Sequence, residues 1–242
     1  MDDLSQTTQG RKMNIIDHIK KTEAYDNSFF RHCKEWSLTS SGLANMAPNW
    51  ELVTKTFWLS TCSLAGALAS HYHTPPDLLI AILKIAAEDG GVGKGAVDGH
   101  IGPPHYELYR QLWTGNTTGT IDWDRKPEPE TKRLVDSFVF PDRHNTALVA
   151  GALANVVIVE TIASNIIEAM IRAHQSARVY PNPTKPGYME LHQNLELEHA
   201  AAMPTVATLA EDHGMDLWSQ AQWRCETWGS FWQAMDRIVF GC

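Results

Sequence analysis

Residues 145–177 constrain this chain more than any other stretch, because their first half is apolar on most faces of a helix. Such a helix has to lie at the centre of whatever the chain builds, with other elements packed around it. The apolar run at 147–167 is interrupted by Asn155, Glu160 and Asn165, so it does not read as a membrane span. Glu160 is the informative interruption. It stands between Val156-Val157-Ile158-Val159 and Ile162-Ala163, where a carboxylate is costly to bury unless paired or metal-bound. The alternative is that it turns to solvent or meets an arginine.

The remaining segments read as helices. Residues 13–33 have a roughly helical apolar period and are closed by the break at Ser40-Ser41-Gly42. Pro48-Asn49-Trp50 leads into a helix over 51–72, and Thr74-Pro75-Pro76 stops it. Asp77 is the expected N-cap of a helix over 78–89, and a Gly- and Pro-rich connection then runs to His105. That connection lacks the G-x-x-x-x-G-K-[ST] order of a phosphate loop and follows a helix, not a strand. Further helices are expected over 105–113, 130–140, 145–177 and 188–213, with a final one carrying Trp218, Trp223, Trp228, Phe231 and Trp232. With neither alternating β-branched runs nor an internal repeat, the expected fold is all-α. It would have about seven helices in one domain over 13–242, behind a flexible tail at 1–12.

Composition narrows the function classes. A chain of 242 residues with 43% hydrophobic residues has the makings of one substantial globular domain. A formal charge of −8 offers no basic stripe for phosphates, so no nucleic-acid partner is expected. The start, 1–14, is polar and is not a secretory signal. Cys33, Cys62, Cys225 and Cys242 are scattered without a C-x-x-C pair, which argues against a disulfide framework or thiolate zinc. A reducing cytoplasm is the expected compartment, with no membrane partner.

The chemistry concentrates in the 188–213 segment. His192, Glu196 and His199 are spaced i, i+4, i+7, so at about 100° per residue they project from one narrow helical stripe. Two imidazoles and a carboxylate on one face suit a divalent transition metal; the alternative is a solvated face with two incidental histidines. Glu88 sits on an otherwise apolar turn at the end of 78–89, although with Asp89 it also fits an ordinary charged helix end. His105 opens the next helix and could equally be a surface histidine. Taken together, Glu88, His105, Glu160, His192, Glu196 and His199 form an inventory for two iron or manganese ions with a carboxylate to bridge them. Glu168 is a weaker candidate beside Arg172. His71 and His73 read as surface residues or supports, and Lys84 and Arg110 as surface cations with an outside claim on a substrate carboxylate. Only one Glu-x-x-His motif exists (196–199), so the ferritin-like pattern does not fit, and no H-E-x-x-H motif is present.

In order and spacing these residues resemble the haem-oxygenase-like di-iron oxidases and oxygenases, a family that includes the Chlamydia protein associating with death domains. The likeness covers roughly residues 80–200: Glu88 at a helix end, a Gly-containing loop, His105-Tyr106-Glu107-Leu108-Tyr109, Glu160 in the apolar helix, then His192, Glu196 and His199. Two departures stand out. The loop before His105 is longer than usual, which leaves His100, Asp98 or His71 as alternatives to His105, and Glu196 stands where aspartate is common. The resemblance implies a seven-helix haem-oxygenase-like bundle and an enzyme, a non-haem di-iron oxidoreductase binding two iron ions and using O₂. Family members oxygenate nitrogen, cleave C–C bonds or form nitriles, so the implied substrate is a small amino-acid-derived or carboxylic acid in specialised metabolism. The alternatives are a metal-free enzyme of the same architecture, similar to the thiaminase-like or PQQ-synthesis proteins, and a non-catalytic helical partner-binding protein. The expected partner is a small-molecule substrate, and a homodimer is the assembly to test for.

Overall fold

The computed structural model describes residues 14–70, 73–96, 100–113, 121–141, 145–179 and 187–241. Among these the chain is all-helical: α1 (Ile15–Ile19), α2 (Ser28–Glu35), α3 (Ser40–Ser70), α4 (Pro76–Asp89), α5 (His105–Trp113), α6 (Pro129–Ser137), α7 (Thr146–Ser176), α8 (Tyr188–Asp212) and α9 (Leu217–Phe240). A single 3₁₀ turn, Gly93–Gly95, interrupts the α4–α5 connection.

Among the described residues nine α-helices stand where about seven were expected, and the boundaries differ for identifiable reasons. The 13–33 segment is two helices, because the Asn27 side chain accepts the Phe30 N–H at 3.0 Å and starts α2 afresh. Helix α3 begins at Ser40, so Ser40-Ser41-Gly42 opens a helix where a break was expected; the Thr39 hydroxyl accepts the Gly42 N–H at 3.2 Å. Pro48 then lies inside α3. Its neighbour Asn49 is buried and accepts from Thr131 Oγ1 at 2.8 Å and from the Glu128 N–H at 3.0 Å, which ties this part of α3 to α6. Asp77 is not the N-cap of α4: Pro75 takes that place, Pro76 begins the helix and Asp77 falls in its first turn.

Helix α7 is the axis. It packs against α8, α9, α3 and α2, and its buried residues run from Val149 to His174. It is the one described helix long and apolar enough to cross a membrane by length and composition, and 78% of its most apolar window is buried inside the fold. Each of its polar interruptions meets a protein partner. Asn155 donates to the Ser137 carbonyl at 2.8 Å, Asn165 donates to the Tyr25 carbonyl at 3.0 Å, and Glu160 meets His199. Of the tryptophans on α9, Trp228 and Trp232 are fully buried; Trp232 stacks on Phe29 and Trp228 on Trp232. Trp223 is exposed with Arg224 over its ring. Cys33, Cys62 and Cys225 are free thiols; Cys242 and the 1–12 tail lie outside the described residues.

Candidate metal centre

Each polar side chain of the centre is placed by a helix end or a helix stripe. The final turn of α4 carries Glu88 and Asp89, and Gly90 and Gly91 then turn the chain sharply, Gly91 with φ of +80°. The connection folds back across α4 so closely that a Cβ on Gly95 would lie 1.9 Å from the Glu88 carbonyl oxygen, a contact only glycine avoids. This close pass positions the Gly95 carbonyl, which accepts the His105 Nε2–H at 3.0 Å. A carbonyl only accepts, so Nε2 carries a proton here and Nδ1 is the ring nitrogen left facing inward. Nδ1 lies 3.3 Å from Asp89 Oδ1 and is buried without a well-aligned hydrogen bond among the described residues.

Helix α8 supplies the opposite wall. His192 Nδ1–H donates to the Tyr188 carbonyl one turn back, at 2.7 Å, which frees Nε2 as a ligand atom. The His105 and His192 rings stand edge-to-face with centroids 4.4 Å apart. Asp89, His105 and His192 thus bring their ligand atoms within 4.8 Å of one another, and Glu160, Glu196 and His199 form a second such group. In the second group His199 Nδ1 lies 3.0 Å from Glu160 Oε2 and 3.8 Å from Glu196 Oε2, while its Nε2 lies 2.7 Å from Glu88 Oε2. Glu196 joins the two groups, with Oε1 3.8 Å from His192 Nε2 and the buried Oε2 turned to His199.

All six residues expected in the site are therefore buried together. The arrangement adds Asp89 beside His105 and His192 and sets Glu88 on the far nitrogen of His199. His100, offered as a substitute for His105, is exposed and belongs to neither group, as is His73. Asp98 and His71 lie outside the described residues. Glu168 is on the surface, bonded to Lys34 and Arg172 at 3.1 and 3.2 Å. Arg110 pairs with the buried Glu51 at 3.1 Å. Lys84 and Lys94 both grip Glu198, at 3.3 and 2.8 Å, latching the outer face of α8 to α4 and the 3₁₀ turn.

Protons are unevenly distributed between the two groups. Burial would raise the Asp89 carboxyl, yet His105 beside it, helped by His199 and His192, holds it below its usual range. Burial and then His105 push the His192 imidazolium down to about 3. Asp89 and His192 thus stand ready as deprotonated donors at neutral pH. In the second group, burial and then the Glu160 carboxylate push Glu196 well above the carboxylate range. Burial would lower His199, but Glu160, Glu196 and Glu88 outweigh it and raise the imidazolium to about 11.

Two aromatic residues not singled out from the sequence support the centre. Tyr188 packs tilted against His192 with centroids 4.1 Å apart, and its hydroxyl accepts the Trp50 indole N–H at 3.2 Å. Beside the acids and histidines lies a cavity of about 60 Å³ walled largely by apolar side chains, among them Val53, Phe57, Ala163 and Trp228. No protein-family model matches this chain, and no characterised protein matches its sequence, so the function rests on what this geometry can do.

Proposed function

We propose that the buried centre holds two metal ions, iron or manganese, and that the protein is a non-haem di-iron, O₂-dependent oxidase or oxygenase. Its substrate would be a small amino-acid-derived or carboxylic acid. The observation that carries this reading is Glu196: one carboxylate oxygen turns to His192 of the first group and the other to His199 of the second. A carboxylate so placed between two three-residue groups has the geometry of a bridge.

The donor set fits the metals. Oxygen-rich ligation with a few imidazoles suits iron or manganese, and the open Nδ1 of His105 and buried Oε2 of Glu196 are ligand atoms without a competing protein hydrogen bond. Asp89, His105 and His192 would hold one ion; Glu160, Glu196 and His199 Nδ1 would hold the other. When bound, two reduced ions supply electrons to O₂. The chain's own part is separate. The Tyr188 and Gly95 carbonyls fix the tautomers of His192 and His105, and Glu88 accepts from His199 Nε2 and orients that ring. His199 and Glu196 would give up protons as the second group fills.

A metal-free acid–base pocket is the second reading, favoured by the two short carboxylate contacts that already hold His199. One experiment separates them: anaerobic ferrous loading followed by metal analysis. About two irons per chain are expected, with losses in Glu160→Ala and His192→Ala. Full stoichiometry in both variants, or no iron in the parent protein, overturns the proposal.

A further inference from the structure

The cavity beside the acids and histidines opens to solvent between α3 and α5, at a mouth formed by the half-buried Thr54, Trp58 and Tyr106. The uncharged polar groups of that rim already have partners. Thr54 turns its hydroxyl back onto the Trp50 and Glu51 carbonyls at 3.1 and 3.0 Å, and the Trp58 indole N–H donates to the Ala86 carbonyl at 3.0 Å. Tyr106 packs against Trp58 with centroids 5.9 Å apart and donates its hydroxyl to Glu107 at 3.2 Å.

Charged side chains gather around Tyr106: Glu51, Lys55, Glu107 and Arg110. Glu51 and Arg110 pair with each other at 3.1 Å. The other two are left over. The exposed Lys55 ammonium stands 5.5 Å over the Tyr106 ring, Glu107 holds the Tyr106 hydroxyl, and neither forms an ion pair among the described residues. The mouth therefore offers one positive and one negative group, both gathered on a ring that lines the cavity. Inside, the walls are largely apolar, and the buried Glu160, His192 and Glu196 line the same space. Its volume of about 60 Å³ has room for about four to six heavy atoms. These surfaces sort a molecule that has a dipolar head and a short apolar tail. Its two charges are costly to take out of water, whereas its tail gains by leaving it, so the head stays at the rim and the tail enters.

We infer that this mouth selects small amino acids with apolar side chains, Lys55 holding the carboxylate and Glu107 the ammonium while the side chain enters the cavity. The consequence for chemistry, oxidation on the side chain and not at the head, rests on the di-iron reading; the head-group contacts need no metal. The test is therefore isothermal titration calorimetry on the metal-free full chain with three probes: L-leucine, isocaproate, which lacks the ammonium, and isoamylamine, which lacks the carboxylate. The Val53 and Ala163 methyl resonances mark where the tail sits. L-Leucine should bind about tenfold more tightly than either analogue. Lys55→Met should weaken L-leucine and isocaproate about three- to tenfold and leave isoamylamine unchanged, while Lys55→Arg keeps the parent affinities. Glu107→Gln, which still accepts from Tyr106, should weaken L-leucine and isoamylamine by a similar factor and leave isocaproate unchanged. Equal affinity for the three probes, L-leucine binding that ignores both charge-removing substitutions, or binding that leaves Val53 and Ala163 unshifted overturns the assignment. Metal stoichiometry is scored separately: a parent chain that binds no iron sinks the di-iron reading and leaves the calorimetry standing.

Discussion

Glu88 and Asp89 are adjacent carboxylates at one helix end, and the structure gives them different partners. Asp89 Oδ1 faces the open Nδ1 of His105 at 3.3 Å in the first three-residue group. Glu88 Oε2 lies 2.7 Å from the far nitrogen of His199, where on the proposed reading it would orient that ring for an ion on the near side. Glu88→Gln keeps an acceptor oxygen for His199 but removes its charge. Losing the charge on an outer partner of a ligating histidine costs about 10–100-fold in metal affinity, or about 1.4–2.8 kcal/mol. The second ion should still bind, only more weakly. Asp89→Asn leaves the first group with two histidines and an amide, a poor ligand, so stoichiometry should fall to about one ion per chain at micromolar metal. Both substitutions are nearly isosteric, and circular dichroism should show folded protein in each case. The assay is anaerobic cobalt(II) titration followed by its visible bands, with metal content measured after gel filtration. If Glu88→Gln loses an ion outright while Asp89→Asn retains both, the roles are reversed and the geometric argument fails.

Other outcomes follow from the same contacts. Gly95→Ala places a Cβ 1.9 Å from the Glu88 carbonyl oxygen and should displace the loop that holds His105; metal binding at the first group should drop by at least about tenfold, read in the same titration. The metal-free protein should have its highest melting temperature near neutral pH. His199, raised to about 11, contributes stability in full only below its unfolded value, and that contribution fades as pH climbs toward 11, with raised Glu196 acting in the same direction. His192, lowered to about 3, costs stability as pH falls below its ordinary value toward 3. A melting temperature that rises steadily from pH 7 to 10 would contradict this assignment. Filling the second group should release about two protons, from His199 and Glu196, measurable by calorimetry in buffers of different ionisation enthalpy. Away from the centre, His32→Ala removes the imidazole 2.8 Å from the buried Asp236 and should cost about 1–3 kcal/mol by denaturant titration.

What the sequence made legible was whatever depends on helical period. The 192–196–199 stripe needs only the angle per residue, and Glu160 only the apolar residues around it, so both could be placed without coordinates. The role of Asp89 could not. Two adjacent carboxylates at a helix end point about 100° apart, and which of them meets His105 depends on the path of the following loop. That path turns on the close approach of Gly95 to Glu88, a tertiary contact with no sequence period. The opening of α3 was hidden for a related reason. Ser-Ser-Gly and an internal proline are local breakers, and their penalty is outweighed here by the Thr39 cap and by the bonds Asn49 makes to α6. Tyr188 and Trp50 gave no signal at all, because an aromatic that braces a histidine looks like any core aromatic until its hydroxyl or indole partner is seen.

Helix α8 carries His192, Glu196 and His199 within two turns, about 10.5 Å of axial rise. The spacing between the two groups is thus set by a rigid covalent ruler, whereas Asp89 and His105 reach the centre from the ends of a loop. Length variation should accordingly be very unevenly tolerated along this chain. A residue gained or lost between two helices leaves that ruler intact. One residue inserted between 192 and 199 would swing part of the stripe by about 100° and point its donors away from each other. Related chains that keep the centre should therefore hold the 192–199 interval at constant length.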